Sequence, residues 1–90
     1  MNVCSYRDYL RLDIELNQTW DVISKRYKGS AVYRPILASQ RAWLEYRDKQ
    51  CAIWSKYYEG GTIEALVENT CRSDITKFRI SELKQLLENN

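Results

Sequence analysis

Apolar side chains recur along the chain at intervals of three and four residues, the spacing that puts side chains on one face of an α-helix. The first such line begins near Tyr6 and ends where Gly29 follows a basic turn, because glycine readily adopts the left-handed conformation that closes a helix. Its members are Tyr9, Asp13, Leu16, Trp20, Ile23 and Tyr27. The line predicts a first long helix that stops close to Lys28.

A second line of the same spacing starts at Tyr33 and is stopped by the pair Gly60-Gly61. Pro35 lies near its beginning, where the missing N–H of proline costs little. The line consists of Tyr33, Leu37, Gln40, Trp43 or Leu44, Arg47, Cys51, Trp54 and Tyr58. It predicts a second long helix.

Thr62 is suited to cap a third helix. The apolar positions of this segment are Ile63, Leu66, Val67, Cys71, Ile75, Phe78, Leu83, Leu86 and Leu87. Because Ser73-Asp74 are capping residues that precede a fresh apolar run, the pattern leaves open one helix or two. Three helices with short connections are expected to run up, down and up, so we predict an all-α antiparallel bundle formed by residues 1–90 as one domain.

The bundle topology also predicts which residues of the first two helices lie at the same height. If the chain turns near Ser30, the heights match where two residue numbers sum to about sixty, as follows from the equal rise of both helices. Asp13 then meets Arg47, and each is the one charged residue on its line. We therefore predict a partly buried ion pair, the alternative being that either side chain bends out to water.

The same argument pairs two of the three cysteines. With a second turn at Gly60-Gly61, Cys51 and Cys71 fall at nearly the same height on neighbouring helices, whereas Cys4 is offset from Cys51 by about 7.5 Å along the axis. We expect a Cys51–Cys71 disulfide and an odd thiol at Cys4. The alternative is three reduced cysteines that pack as small hydrophobic residues.

Composition excludes several classes of function. The formal net charge is +2 and basic residues alternate with acidic ones, unlike the basic patch of a nucleic-acid-binding protein. No apolar run is long enough to span a membrane. The absence of histidine rules out Ser-His and Cys-His nucleophiles within the chain, and Gly60-Gly61 lacks the residues of a phosphate-binding loop. We predict neither an enzyme nor a metal or cofactor site.

An ordered set of motifs follows the chain over nearly its whole length. It consists of Met1-Asn2-Val3-Cys4, Asp13 with Leu16-Asn17, Gln40-Arg41-Ala42-Trp43-Leu44, Tyr46-Arg47-Asp48 with Cys51, Gly60-Gly61-Thr62-Ile63, Cys71, and Thr76 with Arg79 and Leu83. In these residues the sequence resembles the LprI-type domain family of bacteria. Members of that family look like secreted, periplasmic or lipid-anchored helical proteins, and its namesake is a lysozyme inhibitor.

The resemblance implies an extracytoplasmic protein-binding module that blocks a lysozyme-like cell-wall hydrolase by loop insertion or by covering its cleft. The alternative is a structural or assembly protein of the cell envelope that inhibits nothing. We expect periplasmic or secreted localisation from the resemblance and from the cysteines. This expectation does not rest on a signal peptide, because no apolar segment of that kind follows Met1.

The residues of the resemblance divide into two candidate groups. The first is an interior polar network that fixes the helix register, formed by Asp13, Asn17, Gln40, Arg41 and Arg47, with Asn2 as a further member. The second is a partner-binding loop, because a rigid scaffold commonly displays function on its connections. That loop comprises Tyr57, Tyr58, Gly60, Gly61 and Thr62.

Overall fold

The computed structural model describes residues 2–88, which form three long α-helices and no strand. The helices are α1 (Asn2–Tyr27), α2 (Tyr33–Tyr57) and α3 (Glu64–Glu88). They make an elongated bundle of 47 × 21 × 15 Å. Within the described residues, no helix combines the length and apolarity needed to cross a membrane.

Contacts between the helices confirm the up-down-up arrangement. The α1 and α3 helices run parallel, since the Asn69 amide donates to the Ser5 hydroxyl at 3.2 Å near one end and the Tyr27 hydroxyl donates to the Leu86 carbonyl near the other. The α2 helix runs antiparallel to α3, with Cys51 bonded to Cys71. The α3 backbone lies close to both neighbours, whereas α1 and α2 approach each other mainly through side chains.

The third helix is continuous through Ser73-Asp74, which decides the open question in favour of one helix. It begins at Glu64, so Thr62 lies in the preceding turn and is not the N-cap that its residue type predicted. Gly29 has a φ of +91°, in agreement with the left-handed closure expected after α1.

The apolar core occupies the half of the bundle away from the α2–α3 loop. Its buried side chains are Leu16, Ile23, Ile36, Ile80 and Leu83, with Leu12, Trp20, Tyr27, Trp43, Leu86 and Leu87 packed against them. The prediction was wrong for Phe78, which is 69% exposed, and it missed Ile80 and the fully buried Thr76. The reason is that α3 buries two faces, one against α1 and one against α2, so a single apolar line cannot describe it.

Candidate functional site

The α2–α3 connection is a tight turn whose geometry requires glycine. Gly60 has a φ of +79°, a backbone conformation that other residues rarely adopt. A Cβ on Gly61 would lie 3.1 Å from the Tyr58 carbonyl oxygen, and the Gly61 N–H donates to that oxygen at 2.9 Å. The pair therefore folds the loop back sharply between the two helices.

The carboxylate of Glu64, the first residue of α3, stabilises the turn by hydrogen bonds. It accepts hydrogen bonds from the Ser55 hydroxyl at 2.8 Å and from the Gly60 N–H at 3.1 Å. These two donors, the Ser55 hydroxyl first, lower the pKa of Glu64 below its ordinary value. The loop is therefore tied to the end of α2 and to the start of α3 by one side chain.

The Cys51–Cys71 disulfide joins α2 to α3 below the loop, and the predicted bridge is confirmed. The two Cα atoms lie 5.6 Å apart, and Cys51 is completely buried. Cys4 is exposed and forms no disulfide. The loop is thus carried by two helices that are covalently linked close to it.

Aromatic and aliphatic side chains surround this turn and face solvent. Tyr57 is 74% exposed and Trp54 is 40% exposed. The Tyr57 ring lies 6.1 Å from that of Trp54 and 5.1 Å from that of Tyr58, centroid to centroid. We call this surface the aromatic end, and it comprises Ile53, Trp54, Tyr57, Tyr58 and Ile63.

Arg47 lies buried in the middle of the bundle, where it contacts all three helices. Its guanidinium is 3.7 Å from the Asp13 carboxylate and 3.2 Å from that of Asp48, and it donates to the Thr76 hydroxyl at 3.5 Å. The structure thus brings Asp13 and Arg47 together at the height that the register argument gives. Two carboxylates therefore lie close to this buried charge, as burial of an ion requires, and Asp48 is shared with the Arg72 guanidinium at 3.6 Å.

Aromatic rings complete the surroundings of this arginine. The Arg47 guanidinium lies 5.1 Å from the centre of the Trp43 ring and 5.4 Å from that of Tyr9. The Arg79 guanidinium lies 5.9 Å from the centre of the same Trp43 ring, and it donates a hydrogen bond to the Gln40 side chain at 3.0 Å. Arginines and rings therefore alternate across the helices, an arrangement in which each cation faces a π-surface.

Two comparisons place the chain among known proteins. The family model described as lysozyme inhibitor LprI matches residues 1–83. The chain belongs to the lysozyme inhibitor LprI family. An uncharacterized protein of Rhizobium meliloti (strain 1021), R02472, is 32% identical to it over 98% of this chain and 72% of its own length. No solved structure matches the chain.

Two predicted network members of this LprI domain lie elsewhere. Asn17 and Arg41 are exposed, so the prediction that they line an interior network does not hold for them. Each follows a core-facing residue by one position, which turns its side chain by about 100° around the helix. The side chain of Asn2 lies outside the described residues. Gln40 is buried and Asp13 is half-buried.

Several participating residues of the LprI domain were not predicted as site residues. The alternating arginines and rings are joined by three residues of α3, namely Thr76, Arg72 and Arg79. The aromatic end also includes Ile53 and Ile63. Thr76 and Arg79 belong to the motifs of the family resemblance, which was the available signal for them. The pairing of Glu64 with the Gly60 N–H had a weaker signal, an acidic residue in the first turn of a helix.

Proposed function

We propose that the protein is an extracytoplasmic inhibitor that binds a lysozyme-like cell-wall hydrolase through its aromatic end. Membership in a family described as lysozyme inhibitors supports the class of target. The disulfide supports the location, because such bonds form and persist in oxidising compartments. A binding role requires no catalytic group and relies on the shape and chemistry of a surface.

The exposed rings of the aromatic end carry this proposal. Tyrosine and tryptophan are the residues that most often anchor a protein interface, since they bury a large area and keep a polar atom for hydrogen bonding. Tyr57 is 74% exposed and is not among the side chains that pack against the apolar core. Its exposure is therefore better explained by a partner than by folding.

The support beneath the aromatic end favours insertion into a cleft. The turn is fixed by Glu64 and the two helices are joined at Cys51–Cys71, so little freedom is lost on binding. The bundle is only 21 × 15 Å across its long axis, and the turn lies at one end of it. A narrow, rigid end of this kind fits the concave site of an enzyme that binds a long polymer.

The test is a titration of the oxidised protein against a panel of lysozymes of several types, following both binding and cell-wall hydrolysis. We expect inhibition that saturates near one to one with at least one of them. Tyr57→Ala is expected to raise the inhibition constant roughly tenfold or more, the effect of losing a central anchor.

Tyr6→Ala is the matched control for this substitution. Tyr6 is also an exposed tyrosine, at 51%, and it also lies beside another ring, that of Tyr9 at 6.5 Å. It lies on α1 at about the height of Trp54 but outside the aromatic end, so we expect its removal to leave inhibition unchanged if the contact is confined to α2, α3 and their turn. Equal effects of the two substitutions would reject the assigned surface. A complete lack of inhibition across the panel would reject the inhibitor function in favour of the structural or assembly role in the envelope.

A further inference from the structure

A second uncovered surface runs along the outer side of α2 and α3. It consists of two hollows of about 480 and 390 Å³ that meet at Asp74. We call it the α2–α3 groove, and its lining residues are Trp43, Trp54, Tyr46, Tyr58, Leu66, Val67, Thr70, Cys71, Asp74, Ile75, Phe78 and Glu82. Only Trp54 and Tyr58 also belong to the aromatic end.

The groove is apolar along both walls, and several of its side chains lack cover. Phe78 is 69% exposed and Tyr46 is 55% exposed. From Leu66 to Glu82 the lining residues extend over about 24 Å of α3, or roughly four and a half helical turns. Exposed apolar side chains that lie together along a groove are a common feature of surfaces to which another protein binds.

The charges in the groove indicate what binds there. The charged residues that line the two hollows are Asp74 and Glu82, and neither hollow has a lysine or arginine among its described lining residues. Glu82 is paired with Arg79 at 3.3 Å. Asp74 lies where the two hollows meet and also borders a hollow on the α1 side together with Arg11 and Lys77, but among residues 2–88 no lysine or arginine lies within ion-pair distance of it. The protein as a whole is positive, so this face departs from the charge of the chain.

We propose that the α2–α3 groove binds a basic amphipathic helix of a partner protein. Its apolar side chains, spaced by one turn, would fill the two hollows, and a lysine or arginine between them would pair with Asp74. Helices bind in grooves between helices by this arrangement of anchors. The proposal rests on the groove alone and holds whether or not the partner of the aromatic end is a lysozyme-like enzyme.

The test uses two synthetic helix-forming peptides of about 17 residues, long enough to fill the groove. Both have the same leucines and alanines, and one carries arginines where the other carries glutamates. Binding to the oxidised full chain is followed by NMR. The indole N–H signals of Trp43 and Trp54 report on the groove, and that of Trp20, which lies on α1 outside the groove lining, serves as an internal control.

We expect the basic peptide to bind one to one and to shift the Trp43 and Trp54 signals without shifting that of Trp20. Asp74→Lys is expected to weaken its binding roughly three- to tenfold, as for the reversal of one exposed charge pair. Asp21→Lys, the same change at an exposed aspartate of α1, is expected to leave the affinity unchanged. Both positions are exposed, so both variants are expected to fold.

Four results would overturn the proposal. They are an absence of binding by the basic peptide, equal binding by the acidic peptide, signal shifts outside the groove, and equal effects of the two lysine substitutions. A dimer that forms without peptide and covers Trp43 and Trp54 would assign the groove to a second copy of the chain, which also contradicts it.

Discussion

The two ends of the bundle are stabilised by different means. At the end away from the α2–α3 loop, apolar side chains such as Ile23, Ile36 and Leu83 are buried against one another. At the loop end, the fully buried side chain is that of Cys51, and several large apolar side chains, among them Trp54 and Tyr57, are exposed. Apolar packing therefore holds one end, whereas a covalent bond and polar contacts hold the other.

This difference matches the proposal that the loop end of the bundle binds a partner. An end whose large side chains are kept on the surface for a partner has fewer of them left for its own core, so it needs another source of stability. A disulfide supplies that source without occupying the surface. The buried Arg47 lies between the two ends, and its contacts join α1, α2 and α3.

The largest effect is expected from Leu83→Ala in the apolar end. Leu83 is 1% exposed, and truncation of a buried leucine leaves a cavity that costs about 2–5 kcal/mol in the free energy of unfolding. Urea unfolding measures this loss. Phe78→Ala on the same helix, at a position 69% exposed, is the control and is expected to cost well under half as much. Similar costs would show that the core does not lie at this end.

Cys51→Ser should weaken the loop end by nearly as much. Loss of the bridge is expected to lower the free energy of unfolding by about 2–4 kcal/mol, since the unfolded chain is no longer constrained. Hydrogen exchange should increase mostly around the α2–α3 turn, while the amides around Ile23 keep more of their protection. Cys4→Ser, at the exposed free thiol, is the control and should do little. Equal protection losses at both ends would contradict the comparison.

A smaller effect is expected at the arginine between the two ends. Asp13→Ala removes one of the two carboxylates near Arg47 and leaves Asp48 in place, so we expect a loss of about 1–2 kcal/mol in the free energy of unfolding. Asp21→Ala is the matched control, because Asp21 pairs with Lys25 on the exposed surface, where such pairs contribute little. If the two variants unfold at the same urea concentration, the Asp13–Arg47 contact has no energetic importance.

The apolar periodicity predicts the buried face of α1 well, misses the buried Ile36 next to Leu37 on α2, and is least accurate for α3, which buries two faces. On α1 the apolar line includes the buried Leu16 and Ile23, and the register argument gave the correct disulfide. On α3 the two buried faces merge in the sequence, so Phe78 was wrongly assigned to the core. Periodicity identifies apolar faces and does not distinguish the face that meets another helix from the face that meets a partner.

The candidate site was likewise predictable only in part. The pair Gly60-Gly61 predicts the turn, so the loop between Tyr57 and Thr62 could be found from residue types alone. Ile53 lies off the predicted apolar line of α2, so its exposure agrees with the periodicity, but nothing in the sequence assigns it to the surface around the loop. Glu64 was missed for a different reason, since its partner Gly60 becomes its neighbour only once the turn is folded.

The smallest expected effect concerns the pH response of the loop. The pKa of Glu64 lies below its ordinary value near 4.5, because the Ser55 hydroxyl and the Gly60 N–H donate to the ionised form. A pKa that is lower in the folded state contributes stability that is present above the unfolded value and is lost as the pH falls through the folded value. We therefore expect the amide signal of Gly60 to titrate with a midpoint below 4.5 when followed by NMR.

Glu64→Gln and Glu45→Gln together test this assignment. Glu45 also has a lowered pKa, through its hydrogen bond with Lys49, but that pair lies in the middle of α2, away from the turn. The Gly60 titration should vanish in Glu64→Gln and persist in Glu45→Gln. Persistence in both variants would mean that another group controls the loop, and the aromatic end would then lack the side chain that fixes its turn to both helices. Loss only in Glu64→Gln would show that one carboxylate sets the geometry of the end, in contrast to the packed side chains that set it at the other.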